Sequence, residues 1–147
     1  MRAIAFSMEF RGQSTPLTPG VLSARGTAPS GAFVTRIDRE GVHGTFEPRE
    51  GAEALLERRL TFLNETTFED AGTISFGDGN AVRFHSVGLG QLGPSPEPSV
   101  RQGTVAWVVD GGAGVLEHAA GRIVSNFLVS DLGELTDRQL GVLFVER

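Results

Sequence analysis

The sequence predicts an all-β protein, a small antiparallel β-barrel of about eight to ten strands with little helix. Three observations carry that expectation. Ile4, Phe6, Met8 and Phe10 alternate with Ser7, Glu9 and Arg11, a period of two that gives an extended chain one apolar face. Asp78-Gly79 separates two alternating runs, T-I-S-F-G and N-A-V-R-F-H-S-V, which is a strong hairpin signal. Gly103–Val109, Arg122–Ser130 and Leu140–Glu146 are short runs apolar on both faces. In a single-layer barrel one such face lines the interior, and the other meets loops or a neighbouring subunit.

Composition narrows the function classes. At 147 residues and 15.6 kDa the chain reads as a single barrel domain over 1–147, large enough for a real core. Ten Phe with no Tyr make the aromatics apolar wall material without a phenolic acid or donor. The absence of Cys excludes disulfides, thiolate metal sites and cysteine nucleophiles. A net charge of −5 leaves no basic stripe to neutralise phosphates, so nucleic acid is not an expected partner. Met1-Arg2-Ala3-Ile4 runs directly into the first alternating segment, and no run reaches the length of a membrane span. The expected location is cytoplasmic, with no membrane contact.

The elements follow in order. A strand is expected over residues 3–11, then a Pro/Gly-punctuated connection over 13–20. Short strands follow around Val21–Gly26, Ala32–Arg39 and Val42–Phe46, with a tight turn at Glu40-Gly41. Ala52–Arg59 is the only stretch with good helix propensity and reads as at most two helical turns. Leu60–Phe68 reads as a strand with Leu60, Phe62, Asn64, Thr66 and Phe68 on one side. At the Asp78-Gly79 hairpin, a three-residue loop pairing Phe76 with Val82 and Ile74 with Phe84 keeps the apolar residues together. It leaves Ser75, Arg83 and His85 on the opposite face of a long strand over 81–91. Three prolines between Gly93 and Ser99 make a stiff exposed loop.

The run Asp110 to Ile123 (D-G-G-A-G-V-L-E-H-A-A-G-R-I) resembles the glycine-rich loop of the allene oxide cyclase and dirigent superfamily of β-barrels. Gly111, Gly112, Gly114, Ala119 and Gly121 match that loop's spacing, while Ala113, Val115 and Leu116 replace its usual Thr, Arg and Phe. The resemblance covers about residues 72–130. It implies a small antiparallel barrel with an apolar cavity open at one end, of the kind that holds lipid-, polyketide- or terpene-like molecules of specialised metabolism. Several such barrels guide a reactive intermediate to one ring-closed product without a cofactor. A phosphate-cradling reading of the same glycines fails, because the run leads into another strand rather than a helix.

Candidate chemistry lies in polar residues threaded into apolar strands. His85 and Arg83 share one strand face; turned inward, they would bind a carboxylate or enolate and move a proton near neutral pH. Turned outward, they are a solvent-facing pair. Glu65 would be a general acid or base if buried in apolar surroundings, and Asn64 would bind a ligand carbonyl or epoxide oxygen unless backbone groups satisfy its amide. Asn126, Trp107, Glu9 and Phe62 complete the candidate substrate-binding set. For Trp107 the alternative is simple core, and for Glu9 a surface charge beside Ser7 and Arg11.

His43, His85 and His118 show no metal-ligand spacing, and there is no nucleophile elbow, so neither a metal nor a cofactor is expected. The expected function is a cofactor-independent cyclase or isomerase acting on a small hydrophobic intermediate in the barrel cavity. The alternative is a barrel that binds a small apolar ligand without catalysis. The doubly apolar late strands point to a homo-oligomer, a dimer or trimer.

Overall fold

A computed structural model describes residues 2–33, 36–43 and 46–146. The chain closes into an antiparallel barrel. Its strands are β1 (Arg2–Thr18), β2 (Val21–Phe33), β3 (Arg36–Asp38), β4 (Gly41–His43), β5 (Phe46–Phe62), β6 (Thr67–Gly77), β7 (Asn80–Ser86), β8 (Gly90–Pro94), β9 (Val100–Ala113), β10 (Ala120–Ser130) and β11 (Glu134–Val145). The order β10-β11-β1-β2-β5-β6-β7-β9 returns to β10 through the β9–β10 pair, which makes eight barrel strands. β8 pairs with both β6 and β9 and continues the position that β7 leaves. The β3–β4 hairpin is a separate two-stranded sheet inserted between β2 and β5. Among the described residues, closure gives each of the eight barrel strands a partner on both sides.

Period-two patterning explains each wall. Ile4, Phe6, Met8 and Phe10 of β1 are buried, as are Ile123, Phe127 and Val129 of β10 and Val105, Trp107 and Val109 of β9. Four phenylalanines face glycines across the ladder: Phe6 opposite Gly141, Phe68 opposite Gly90, Phe84 opposite Gly72 and Phe127 opposite Gly103. The missing side chain leaves the ring room to lie against the partner backbone. At Gly103 an added Cβ would clash with the Phe127 ring. The only helix among the described residues is a single 3-10 turn, Gly114–Leu116, whose buried Leu116 closes the barrel end where β9 passes into β10. No described helix is long and apolar enough to cross a membrane.

Several local expectations are corrected. Ala52–Arg59 is not helical; it belongs to β5, where Ala54, Leu56, Arg58 and Leu60 face inward in strict alternation. Burial of that alternating face overrides the helix propensity of its Ala, Leu and Glu residues. Leu60–Phe68 is not one strand but a reversal. Asn64 Oδ1 accepts from the N–H groups of Thr66 and Thr67, both at 2.9 Å, and turns the chain from β5 into β6. Residues 13–20 form the paired arm of the β1–β2 hairpin rather than a loop, with Thr18 opposite Val21.

At the β6–β7 hairpin, Gly77 pairs with Asn80 around a two-residue Asp78-Gly79 turn, with φ of 56° and 76°. Ile74 then pairs with Val82, and Phe76 sits in a bulge rather than opposite Val82. The long strand over 81–91 is interrupted between β7 and β8, where Gly88 takes a φ of 70°. The β3–β4 turn falls at Arg39-Glu40, one residue earlier than expected. Positions 34, 35, 44 and 45 of the strands expected nearby lie outside the described residues.

Candidate functional site

The barrel interior is filled rather than hollow. Trp107, Phe10, Phe68, Ile4, Leu56, Ile74 and Leu116 are fully buried within it, so the space for a ligand lies at one mouth. There the Pro19-Gly20 tip of the β1–β2 arm, the β5–β6 turn and β8 stand around an open pocket of about 1040 Å3. The Phe62 N–H donates to Gly20 O at 2.7 Å and the Leu92 N–H to Thr66 O at 2.8 Å, which ties these three segments together.

The pocket wall is mainly apolar: Leu17, Val21, Leu22, Phe62, Leu63 and Leu92. Leu17 and Leu63 are 48% and 57% exposed, unusual for leucines that nothing covers. Its polar side chains are Thr18, Asn64, Glu65, Thr66 and Arg101. A second groove of about 550 Å3 shares Thr66, Leu92, Gly93 and Pro94 with the first. It continues past Gln91, Thr104, Asn126, Phe127 and Arg138.

Beneath the mouth is an aromatic floor. Phe62 and Phe68 lie 5.3 Å apart between ring centroids, and Phe68 meets Phe127 edge-on at 5.9 Å. Under that floor sits a buried polar cluster that sequence reasoning missed. The Arg58 guanidinium lies between Phe127 and Trp107, at 4.6 and 4.8 Å from their centroids. Its Nε donates to Asp70 Oδ2 at 2.8 Å, and its Nη1 donates to Asp137 Oδ2 at 3.1 Å and Ser125 Oγ at 3.2 Å. Trp107 Nε1 donates to Asp70 Oδ1 at 2.9 Å. Ser125 and Gln139 donate to Asp137 at 2.6 and 3.0 Å.

Arg58, Asp70, Ser125, Asp137 and Gln139 are all buried. Two carboxylates therefore share one guanidinium in a low-dielectric interior. Burial pushes the Asp70 carboxyl above its ordinary value, against the pull of Arg58 and the Trp107 N–H, and the charge of Asp137 adds to the rise. Arg58 Nη2, although 2.6 Å from Asp70 Oδ2, lacks hydrogen-bond geometry, and Gln139 Oε1 has no partner. The detectable signal was parity. Arg58 falls in phase with Leu56 and Leu60, and Asp137 and Gln139 fall in phase with Leu135 and Leu143. Reading residues 52–59 as helix hid the first of these.

The expected site residues divide into three groups. Phe62, Asn64 and Glu65 line the mouth pocket and Asn126 the second groove. Asn64 and Glu65 are exposed, and the Asn64 carbonyl is taken up by the β5–β6 turn. Trp107 is fully buried core with its N–H on Asp70. Arg83, His85 and Glu9 face outward on the barrel wall, away from the mouth pocket.

His85 Nδ1 pairs with Asp110 Oδ2, and Arg83 Nη2 donates to the Asp110 carbonyl at 3.0 Å. Glu9 accepts from Arg11 at 2.8 Å and Arg138 at 3.1 Å, which holds its carboxyl below the ordinary range. No group of three or more His, Cys, Asp or Glu among the described residues is arranged to hold a metal ion. Comparison with protein-family models, with curated proteins and with solved structures finds no match for this chain.

Proposed function

We propose that the chain binds a small amphipathic molecule, an apolar body carrying one anionic group, across the mouth of its barrel. One observation carries this reading: an open pocket of about 1040 Å3 walled by uncovered leucines, with Arg101 on its lining. Arg101 has no ion-pair partner among the described residues. Pockets of that size and apolarity with a few polar groups are typical small-molecule sites. A guanidinium at the rim gives an acidic head group a charge-assisted hydrogen bond.

Calorimetric titration with dodecanoate tests the reading. Binding should weaken by about tenfold in Arg101→Ala, the loss of one such bond, and be abolished by Leu63→Asp. Heats absent from the native chain, or unchanged in both variants, overturn it.

A second reading, cofactor-free cyclisation or isomerisation of the bound molecule, is favoured by the Arg58–Asp70–Asp137 cluster under the pocket floor. It does not run through Arg83 and His85, whose outward placement leaves them on solvent. Copies of the chain would associate through the outer face of β1, β10 and β11. There Leu140, Val124 and Phe144 stand 63%, 42% and 42% exposed.

A further inference from the structure

Asn126 belongs to a row of polar side chains that crosses the outside of the barrel. Gln91 of β8 pairs with Thr104 of β9, Thr104 with Asn126 of β10, Asn126 with Arg138 of β11, and Arg138 with Glu9 of β1. The first four line the second groove, of about 550 Å3, and are exposed. Their neighbours along each strand are buried, so the row faces out by parity. Gln102 stands two residues before Thr104 on the same face. Opposite it, Gly93 bares the backbone, and a Cβ there would meet nothing within 4 Å. The groove thus has room beside its polar groups.

Charge and hydrogen bonding set what it takes. Arg138 donates to Glu9 at 3.1 Å, and Glu9 also accepts from Arg11 at 2.8 Å. An anion would compete with Glu9 for Arg138, and a cation would find that carboxylate already shared by two guanidiniums. A neutral guest meets neither obstacle. Gln91, Thr104 and Asn126 have no side-chain partner among the described residues, and Gln102 donates only to the Pro94 carbonyl, at 3.3 Å. Amides and hydroxyls offer both donors and acceptors, as the hydroxyls of a polyol do. Adjacent strands present them at a repeat of about 4.8 Å. Pro94 and Leu128 add apolar surface for the C–H face of a ring.

We propose that this outer groove is a subsite for a neutral sugar ring, carried by the amphipathic molecule whose apolar body occupies the mouth. The two spaces are continuous, since Thr66, Leu92, Gly93 and Pro94 line both. Arg101, the cation of the mouth, directly precedes Gln102 in β9, so the acid and the sugar of one glycosylated molecule would be neighbours. The inference rests on the mouth reading for the apolar body, while the sugar contacts belong to the groove alone.

The experiment follows the backbone amide resonances of the isotope-labelled chain during titration with octyl β-D-glucopyranoside below its micelle concentration. Octanoate, of matching chain length and without the sugar, is the second probe. The glucoside should shift the amides of Gln91, Gln102, Thr104 and Asn126 together with Leu63 at the mouth, and octanoate those of the mouth only. Gln91→Ala with Asn126→Ala should weaken the glucoside about tenfold, the loss of two neutral hydrogen bonds, and leave octanoate unchanged.

Glucoside shifts absent from the groove, or an affinity that the double variant does not lower, overturn the sugar subsite. If the double variant does not fold, the two-probe comparison on the native chain decides alone. Octanoate binding at the mouth with no groove shifts by the glucoside overturns the subsite and leaves the mouth reading standing. Groove shifts by the glucoside with no binding of octanoate or dodecanoate uphold the subsite and overturn the mouth reading.

Discussion

Arg58 Nε donates to Asp70 Oδ2 at 2.8 Å, joining β5 to β6 through two side chains that no solvent reaches. The same guanidinium reaches Asp137 on β11 and Ser125 on β10, so one cation ties four of the eight barrel strands together from inside. Removing it does not simply delete a pair; it strands two carboxyls in the core. Breaking a buried pair by removing one partner costs about 3–5 kcal/mol. We expect Arg58→Leu to lose stability of that order in urea unfolding, although leucine suits the neighbouring packing. The triple change Arg58→Leu, Asp70→Leu and Asp137→Leu should recover most of the loss, because no charge is then left buried.

The pH dependence of that cluster has a definite sign. A carboxyl whose value is higher in the folded than in the unfolded chain holds its proton more tightly when folded. Its stability contribution is therefore full below the ordinary value and is lost as pH rises toward the folded value. Asp70 is raised in this way by burial. As pH rises above the ordinary value of 3.8, native stability measured relative to Asp70→Asn should decline. Glu9, lowered by Arg11 and Arg138, has the opposite sign, but it is exposed, present in both proteins, and cancels in the comparison. A difference that grows with pH would show that Asp70 is ionised in the fold.

The Phe127–Gly103 contact should behave as a coupled pair. Gly103→Ala places a methyl where the ring lies, and overpacking of this kind costs about 1–3 kcal/mol. Phe127→Ala removes a large buried ring and costs about 3–5 kcal/mol. In the double variant the alanine methyl meets no ring, so the combined loss in thermal or urea unfolding should fall short of the sum. Strict additivity would mean that the ring accommodates the methyl by moving aside.

What the sequence made legible follows from how local each signal is. The β1 alternation and the Asp78-Gly79 hairpin are written in adjacent residues and form there, but the hairpin turns in two residues where three were expected, which shifts its register. The outward and inward faces of β10 also follow from parity alone. The Leu60–Phe68 reversal was hidden because its turn depends on one side-chain oxygen, Asn64 Oδ1, reaching three donors. The polar cluster was hidden for a different reason. Arg58, Asp70, Ser125 and Asp137 lie on four strands, and only the closed register brings them within hydrogen-bond reach. The mouth pocket is likewise built from segments far apart in sequence, and nothing local marks Arg101 as its cation.

The outer wall gives the last prediction. Ser7, Leu140, Val124 and Ala106 lie side by side across β1, β11, β10 and β9. The next row holds Ala5, Val142, Arg122 and Val108, and the row beyond it Ala3, Phe144, Ala120 and Asp110. The barrel interior lies on the other side of these strands, so this apolar face is not part of the chain's own core. Leu140 at its centre is 63% exposed. A mainly apolar sheet face of this kind, with Arg122 and Asp110 toward one end, marks a contact surface, and a second copy offers one of identical shape. Sedimentation should show an oligomer that Leu140→Arg converts to monomer without altering the barrel's circular dichroism. A native chain that sediments as a monomer at high micromolar concentration would exclude this face as a self-contact.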